Sequence, residues 1–205
     1  MQTQYGFYFD PARCVGCKTC VLACKSFKNL TAKINFRAVI EYGGGTWTEV
    51  ANGAWDTNAQ VYYLSVSCNH CSMPLCKAIC HTNAIFKDAD TGAILIDSSL
   101  CDGCGQCVEV CPYTAIHVEM EQKLAMKCNL CQDRVVSGQA PVCVEACPMR
   151  ALECDDIQVL RKKYGKRDDL APMPSPESTL PNVVFGAPAN LKKMPSNSAV
   201  QNKID

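Results

Sequence analysis

Sixteen of the chain's 17 cysteines fall into four groups of four. The groups are Cys14, Cys17, Cys20 and Cys24; Cys68, Cys71, Cys76 and Cys80; Cys101, Cys104, Cys107 and Cys111; and Cys128, Cys131, Cys143 and Cys147. Cys154 is left over. Thiolates crowded in this way bind metal, and the fourfold recurrence is an internal repeat. Groups one and three have the spacing C-x2-C-x2-C-x3-C, and Pro112 follows group three. In bacterial ferredoxins this run holds 4Fe–4S clusters, the fourth cysteine serving the other cluster of a pair. Three thiolates two residues apart wrap one face of a cubane, and the fourth has entered a helix and points to the neighbour. Group two widens the middle gap by Ser72 to Leu75, and group four widens it by Gln132 to Val142. Both keep the closing x3 step, and Pro148 follows group four.

Zinc prefers two C-x2-C knuckles on either side of a longer loop, so group four alone could be half of a zinc site. The tighter groups one and three suit cubanes better. A disulfide scaffold needs no repeated x2 spacing, and no basic head with an apolar run marks the first ten residues as a secretory signal. Iron–sulfur is therefore the expected chemistry. The histidines, His70, His81 and His117, are expected to pack or hydrogen-bond, because sixteen thiols already complete four clusters. Cys154 reads as a small buried apolar residue.

The elements that position these groups are short. Phe36–Tyr42 and Gln60–Val66 read as strands, with Gly43, Gly44 and Gly45 breaking the first. Ala84–Phe86 and Ala93–Ile96 read as a strand pair turning at Asp90–Gly92. Ile157–Tyr164 reads as a helix capped by Asp155 or Asp156 and ended by Gly165. Gln132–Ser137 reads as another, stopped before Pro141. From Lys166 onward the chain holds Pro172, Pro174, Pro176, Pro181, Pro188 and Pro195. This tail reads either as a disordered segment or as an extended arm on a partner, anchored by Val183, Val184 and Phe185.

Charge is balanced, at 20 Lys+Arg against 20 Asp+Glu, which argues against a nucleic-acid partner. No run approaches the roughly 18 apolar residues that suggest a membrane span. Arg13, Lys18, Lys25, Lys77, Lys127 and Arg134 stand close to the cysteines, where positive charge favours a reduced cluster. No nucleophile–base pair and no glycine-rich nucleotide loop is present, so catalysis by this chain alone is not expected.

The segments QYGFYFDPARCVGCKTCVLACK, CNHC at Cys68–Cys71, CDGCGQCVEVCPY at Cys101–Tyr113 and KCNLCQDRVVSGQAPVCVEACPMRAL at Lys127–Leu152 resemble the iron–sulfur subunits of the dimethyl sulfoxide reductase family of molybdenum oxidoreductases. The resemblance implies an α+β fold of two ferredoxin-like two-cluster modules, with a β-rich insert and an extended proline-rich C-terminal arm. It pairs groups one and four, and groups two and three. Cluster one then takes Cys14, Cys17, Cys20 and Cys147, and cluster two takes Cys128, Cys131, Cys143 and Cys24. Cluster three takes Cys68, Cys71, Cys76 and Cys111, and cluster four takes Cys101, Cys104, Cys107 and Cys80.

The first module would comprise residues 1–30 and 124–165, the insert 31–66, the second module 67–123 and the tail 166–205. The first module would face a molybdopterin-containing catalytic subunit, and the second a quinol-oxidising membrane anchor. A signal-bearing partner could carry the subunit to the extracytoplasmic face of the membrane, with the cytoplasmic face as the alternative. Two features depart from the family pattern: Lys25 and His81 stand where a proline often follows the last cysteine of a group. Cys104 is present where some relatives carry tryptophan and a three-iron cluster, so four irons are implied there. The competing reading is a free-standing polyferredoxin shuttle, which would need neither the insert nor the arm.

Overall fold

The computed structural model describes residues 3–188 and the backbone of a strand at 199–202. Residues 1–2, 189–198 and 203–205, Pro195 of the tail among them, lie outside the described residues. The chain opens with β1 (Tyr5–Phe9), α1 (Thr19–Phe27), β2 (Arg37–Gly44), a hairpin of β3 (Trp47–Ala51) and β4 (Ala54–Thr57), and β5 (Gln60–Ser67). Next come α2 (Leu75–Ala78), β6 (Ile85–Lys87), β7 (Ile94–Ile96), α3 (Gln106–Glu109), β8 (Ile116–Glu119) and β9 (Leu124–Lys127). The described elements end with α4 (Gln132–Val136), α5 (Val142–Glu145), β10 (Leu152–Asp156), α6 (Ile157–Tyr164), β11 (Val183–Phe185) and β12 (Ala199–Asn202). The fold is α+β.

The same unit recurs through the chain: a cysteine loop, a single helical turn and a strand. The turns α2, α3 and α5 each stop just before the last cysteine of their group, at Cys80, Cys111 and Cys147. Three residues past that cysteine the backbone turns left-handed, at Asn83 (φ 56), Thr114 (φ 48) and Arg150 (φ 51). Pro112 and Pro148 end two of the turns because proline cannot continue a helix. At Lys25 no proline intervenes, and α1 runs through Cys24 to Phe27. His81 also replaces a proline, yet α2 stays one turn long and the left-handed residue is kept at Asn83.

Small antiparallel ribbons follow the loops: β6 with β7, in register Phe86↔Leu95, and β8 with β9, in register Val118↔Ala125. The strands expected at Ala84–Phe86 and Ala93–Ile96 are these, displaced by about a residue. Helix α6 has the expected bounds, and the Asp156 carboxylate caps it by accepting the Gln158 N–H at 2.8 Å. The insert differs at one point. β2 does not break at Gly43, because β5 supplies a ladder partner out to Gly44↔Gln60. The chain leaves the ribbon at Gly45, with φ 143, and enters the exposed hairpin β3–β4.

The tail expectation needs correction. Val183, Val184 and Phe185 are anchors, but they anchor the chain on itself. They form β11, parallel to β1 with Phe7↔Val183 and Phe9↔Phe185, while β10 flanks the other edge of β1. All three are buried, at 5, 0 and 3 % exposure. Burying such apolar side chains is worth about 1.5–3 kcal/mol each, which offsets the ordering of a proline-rich segment. Proline bars the ladder only where an N–H must donate, and β11 itself contains none.

Upstream, the Tyr62 hydroxyl donates to the Ala171 carbonyl at 2.5 Å, and the Tyr113 and Thr179 hydroxyls meet at 2.7 Å. The close fit at β1 depends on Gly6, where a Cβ would press on the Asn182 carbonyl oxygen and lie 2.7 Å from Ile157 Cδ1. Gly6→Val is therefore expected to lift the tail from the sheet. Limited proteolysis should cut the variant between residues 166 and 186 under conditions that leave the wild-type protein intact.

Candidate metal centres

In each cysteine group the residue before the second thiol is left-handed: Gly16 (φ 71), His70 (φ 45), Gly103 (φ 70) and Leu130 (φ 61). A non-glycine residue there costs about 1–2 kcal/mol, so surrounding contacts must hold the loops at His70 and Leu130. Leu130 is fully buried. The tail holds the loop at His70. Asn182 N–H donates to the Asn69 carbonyl at 3.0 Å, and the Asn182 side-chain amide donates to the His70 carbonyl at 2.8 Å. Ser72 and Met73 N–H groups donate to Leu180 and Thr179 carbonyls at 2.8 and 2.9 Å. Sequence reasoning sent these tail residues to a partner and missed their place at the site.

The wide loop of group four is closed by Arg134, which pairs with Glu145 at 2.6 Å and donates from Nε to the Ala140 carbonyl at 2.9 Å.

None of the 17 cysteines is in a disulfide. Burial pushes Cys14 up to about 11, and its thiol neighbours Cys20, Cys147 and Cys17 add to the rise. Cys24 rises to about 11 through burial and then through Cys143, with Cys131 also close. Cys128 is pushed to about 12 by burial and by Cys68, Cys143 and Cys24. Cys76 reaches about 12 through burial, with Cys68, Cys111 and Cys71 beside it. Cys107 rises to about 11 through burial and through Cys101, Cys104 and Cys80.

These neighbour sets show which thiols the fold brings together. Cys147 lies near Cys14, Cys143 and Cys131 near Cys24, Cys111 near Cys76, and Cys80 near Cys107. Cys128 of group four also has Cys68 of group two as a neighbour. Cys17 and Cys104 are the exposed members. Buried thiols held this high keep their protons unless a cation replaces them, which is what iron does. The donor set is all sulfur, in fours, and fits cubanes.

Most of the sequence-flagged cations serve the surface. Arg13 pairs with Asp10 at 3.3 Å, and Lys25 donates to the Ala32 carbonyl at 2.7 Å. Lys18 and Lys77 are exposed. Lys127 is buried, and its ammonium donates to the Ile94 and Cys128 carbonyls. Arg37 went unnoticed in the sequence. It is 3 % exposed and donates to the Ser65 and Ser67 hydroxyls at 3.1 and 3.0 Å, while Ser65 lies 3.3 Å from Cys20 Sγ. Its guanidinium stacks over Phe7 at 4.7 Å. Although burial disfavours its charge, the neighbouring Cys143, Cys20, Cys128 and Cys24 hold it firmly protonated. An arginine at the start of a strand, far from any cysteine in sequence, carries no local signal.

The three histidines make hydrogen bonds. His81 Nε2 lies 3.0 Å from Asp102, with Nδ1 4.0 Å from Cys104 Sγ. His117 Nε2 lies 2.9 Å from the Asn35 carbonyl, and His70 Nδ1 accepts the Ile94 N–H at 3.0 Å. Cys154 is pushed far up by burial, with Cys143 and Cys128 nearby, and stays an uncharged thiol.

This arrangement defines a ferredoxin-type 4Fe–4S protein. The 4Fe-4S dicluster domain family matches residues 59–157, and the 4Fe-4S binding domain family matches residues 7–26. The protein is 48% identical over 181 residues to the B subunit of anaerobic dimethyl sulfoxide reductase of Haemophilus influenzae, covering 88% of each sequence. It is 47% identical over 190 residues to the corresponding B subunit of Escherichia coli strain K12, covering 93% of this sequence and 92% of that one. The thiosulfate reductase electron transfer subunit PhsB of Salmonella typhi is 34% identical over 170 residues, 82% of this sequence and 79% of that one.

The protein belongs to the dimethyl sulfoxide reductase family of iron–sulfur electron-transfer subunits. It is a non-catalytic, 4Fe–4S-carrying subunit of an oxidoreductase complex.

Removing the buried cation at Arg37 should leave the nearest thiolates less compensated. In Arg37→Met, a potentiometric titration followed by paramagnetic resonance is expected to show the clusters of groups one and four becoming harder to reduce. The clusters of groups two and three should stay close to their wild-type potentials, and Arg37→Lys should recover part of the shift.

Proposed function

We propose that this chain carries four 4Fe–4S clusters in two two-cluster modules and relays electrons between a quinol-oxidising membrane anchor and a molybdopterin-containing catalytic subunit. The observation that carries the reading is the neighbouring of Cys128 and Cys68, with an exposed cysteine in group one and another in group three. Bound clusters supply one-electron exchange without proton transfer or bond making.

The first unit is formed by Cys14, Cys17, Cys20 and Cys147 with Cys128, Cys131, Cys143 and Cys24. The second is formed by Cys68, Cys71, Cys76 and Cys111 with Cys101, Cys104, Cys107 and Cys80. Cys128 beside Cys68 supports electron passage between the units. Cys17 and Cys104 bring the two outer sites to the surface, where other chains would dock. In this division residues 1–30 and 124–165 form the first module, 31–66 the insert and 67–123 the second module. The described part of the tail straps them together instead of reaching outward.

No helix among the described residues is long and apolar enough to cross a membrane. In this reading, membrane association comes through the anchor, on the extracytoplasmic face when a signal-bearing partner exports the complex. The names of the relatives, reductases of dimethyl sulfoxide and thiosulfate, support a respiratory complex of this kind.

Anaerobically purified complex should contain about 16 irons in this subunit, four per cubane. Iron near half that amount, with zinc, would refute the four-cluster reading. The exchanged fourth ligand gives a second test. Cys24→Ser should damage the cluster on Cys128, Cys131 and Cys143 and spare the one on Cys14, Cys17 and Cys20. Resonance spectra with each cluster assigned should show that selective loss, and damage confined to the Cys14 cluster would overturn the pairing.

A further inference from the structure

The Cys68–Cys71 loop contains an imbalance that the protein's own groups leave uncorrected. Among the described residues, the buried side-chain atoms without a hydrogen-bond partner are Gln4 Oε1, Asn69 Nδ2 and His70 Nε2. Two of these three are nitrogens in adjacent residues between the same pair of cysteines. His70 is fully buried, and its Nδ1 accepts a backbone N–H from Ile94 at 3.0 Å. A ring nitrogen that accepts bears no proton, so the neutral imidazole carries its hydrogen on Nε2.

Nε2 is therefore a donor in the interior with nothing of the chain to receive it, a costly state that native folds rarely keep. Its surroundings do not supply an acceptor. Lys127 and Arg37 are donors, and among the described residues no acceptor lies within hydrogen-bond reach of Nε2. The groups that the loop is built to hold are sulfur acceptors. Cys68 lies beside Cys128, so two proposed clusters meet here, one from each module. The corresponding positions in the other loops are Gly16, Gly103 and Leu130, none of which has a side-chain donor.

We propose that His70 donates its Nε2–H to a cluster sulfur at the junction of the two modules, with Asn69 as a companion donor, and so makes an inner cluster easier to reduce than the outer ones. This rests on the four-cluster reading given above. An N–H directed at a thiolate or sulfide withdraws electron density and favours the reduced state. Arg37 and Lys127 act in the same sense, so positive and donating groups concentrate at that junction. Electrons passing from one exposed end to the other would collect at the inner pair. His70 is a positioning and tuning residue; it makes no bond to iron.

The test uses the intact complex with ¹⁵N-histidine, reduced anaerobically and examined by pulsed paramagnetic resonance. A ¹⁵N coupling is expected at one inner cluster. It should persist in the double variant His81→Gln/His117→Gln, where His70 is the remaining histidine of the three. It should vanish in His70→Leu. In the same titrations the potential of that cluster should fall in His70→Leu and recover in part in His70→Gln, whose amide restores an N–H, while the outer clusters stay put. If His70→Leu does not assemble, the coupling in the His81→Gln/His117→Gln variant decides. Absence of a histidine coupling at either inner cluster overturns the proposal, because the proton then goes to water. Iron content separates this failure from that of the underlying reading: about 16 irons with no coupling overturns His70 alone.

Discussion

A thiolate in a protein interior is stable only beside a cation, and this fold brings sixteen cysteines into four adjoining groups. Burial and mutual repulsion push Cys14, Cys24, Cys76, Cys107 and Cys128 to about 11 or 12. Iron meets that electrostatic demand, which makes metal binding part of folding rather than an addition to a finished structure. The cysteines are also the core. Cys20, Cys143 and Cys147 lie in the same apolar cluster as Phe7, Phe9 and Leu64, and Cys24, Cys68 and Cys128 pack with Phe36 and Ile34. A sequence with 7% aromatic residues has few other large groups for its interior.

The loops that carry these thiols are strained and short, so their stability comes from elsewhere in the molecule. Left-handed residues at His70, Leu130, Asn83, Thr114 and Arg150 are unfavourable one by one. Neighbouring segments compensate. The tail grips Asn69, His70, Ser72 and Met73 through backbone and amide hydrogen bonds. Arg134 spans the long loop of group four, and the ribbon β2–β5 brings Arg37 and Ser65 against Cys20. The segments outside the cysteine groups therefore act as clamps that let a repeated metal-binding loop keep a costly backbone.

The buried cations have a second effect. An ion such as Arg37, at 3 % exposure, would destabilise an ordinary core unless well paired. Here its neighbours are Cys143, Cys20, Cys128 and Cys24, each of which would become negative on binding metal. Desolvation is then balanced by attraction that also biases the clusters toward the reduced form. Stability of the loaded fold and ease of reduction thus come from the same contacts.

Much of this was legible in the sequence because metal ligation depends on residue type and local spacing. The repeated cysteine groups named the chemistry, 4Fe–4S clusters. The β6–β7 pair and helix α6 were readable from alternation and from the Asp156 cap, which act over a few residues. What depends on distant contacts was not readable. Val183, Val184 and Phe185 had the composition of an anchor, but the surface they cover, β1, lies at the other end of the sequence. Gly43 looked like a strand end until β5 was seen to carry the ladder past it. Arg37 and the Nε2 proton of His70 gained their roles only when β2, β7 and β9 surrounded them, because burial and the absence of an acceptor are properties of the assembled neighbourhood and have no local pattern in the sequence.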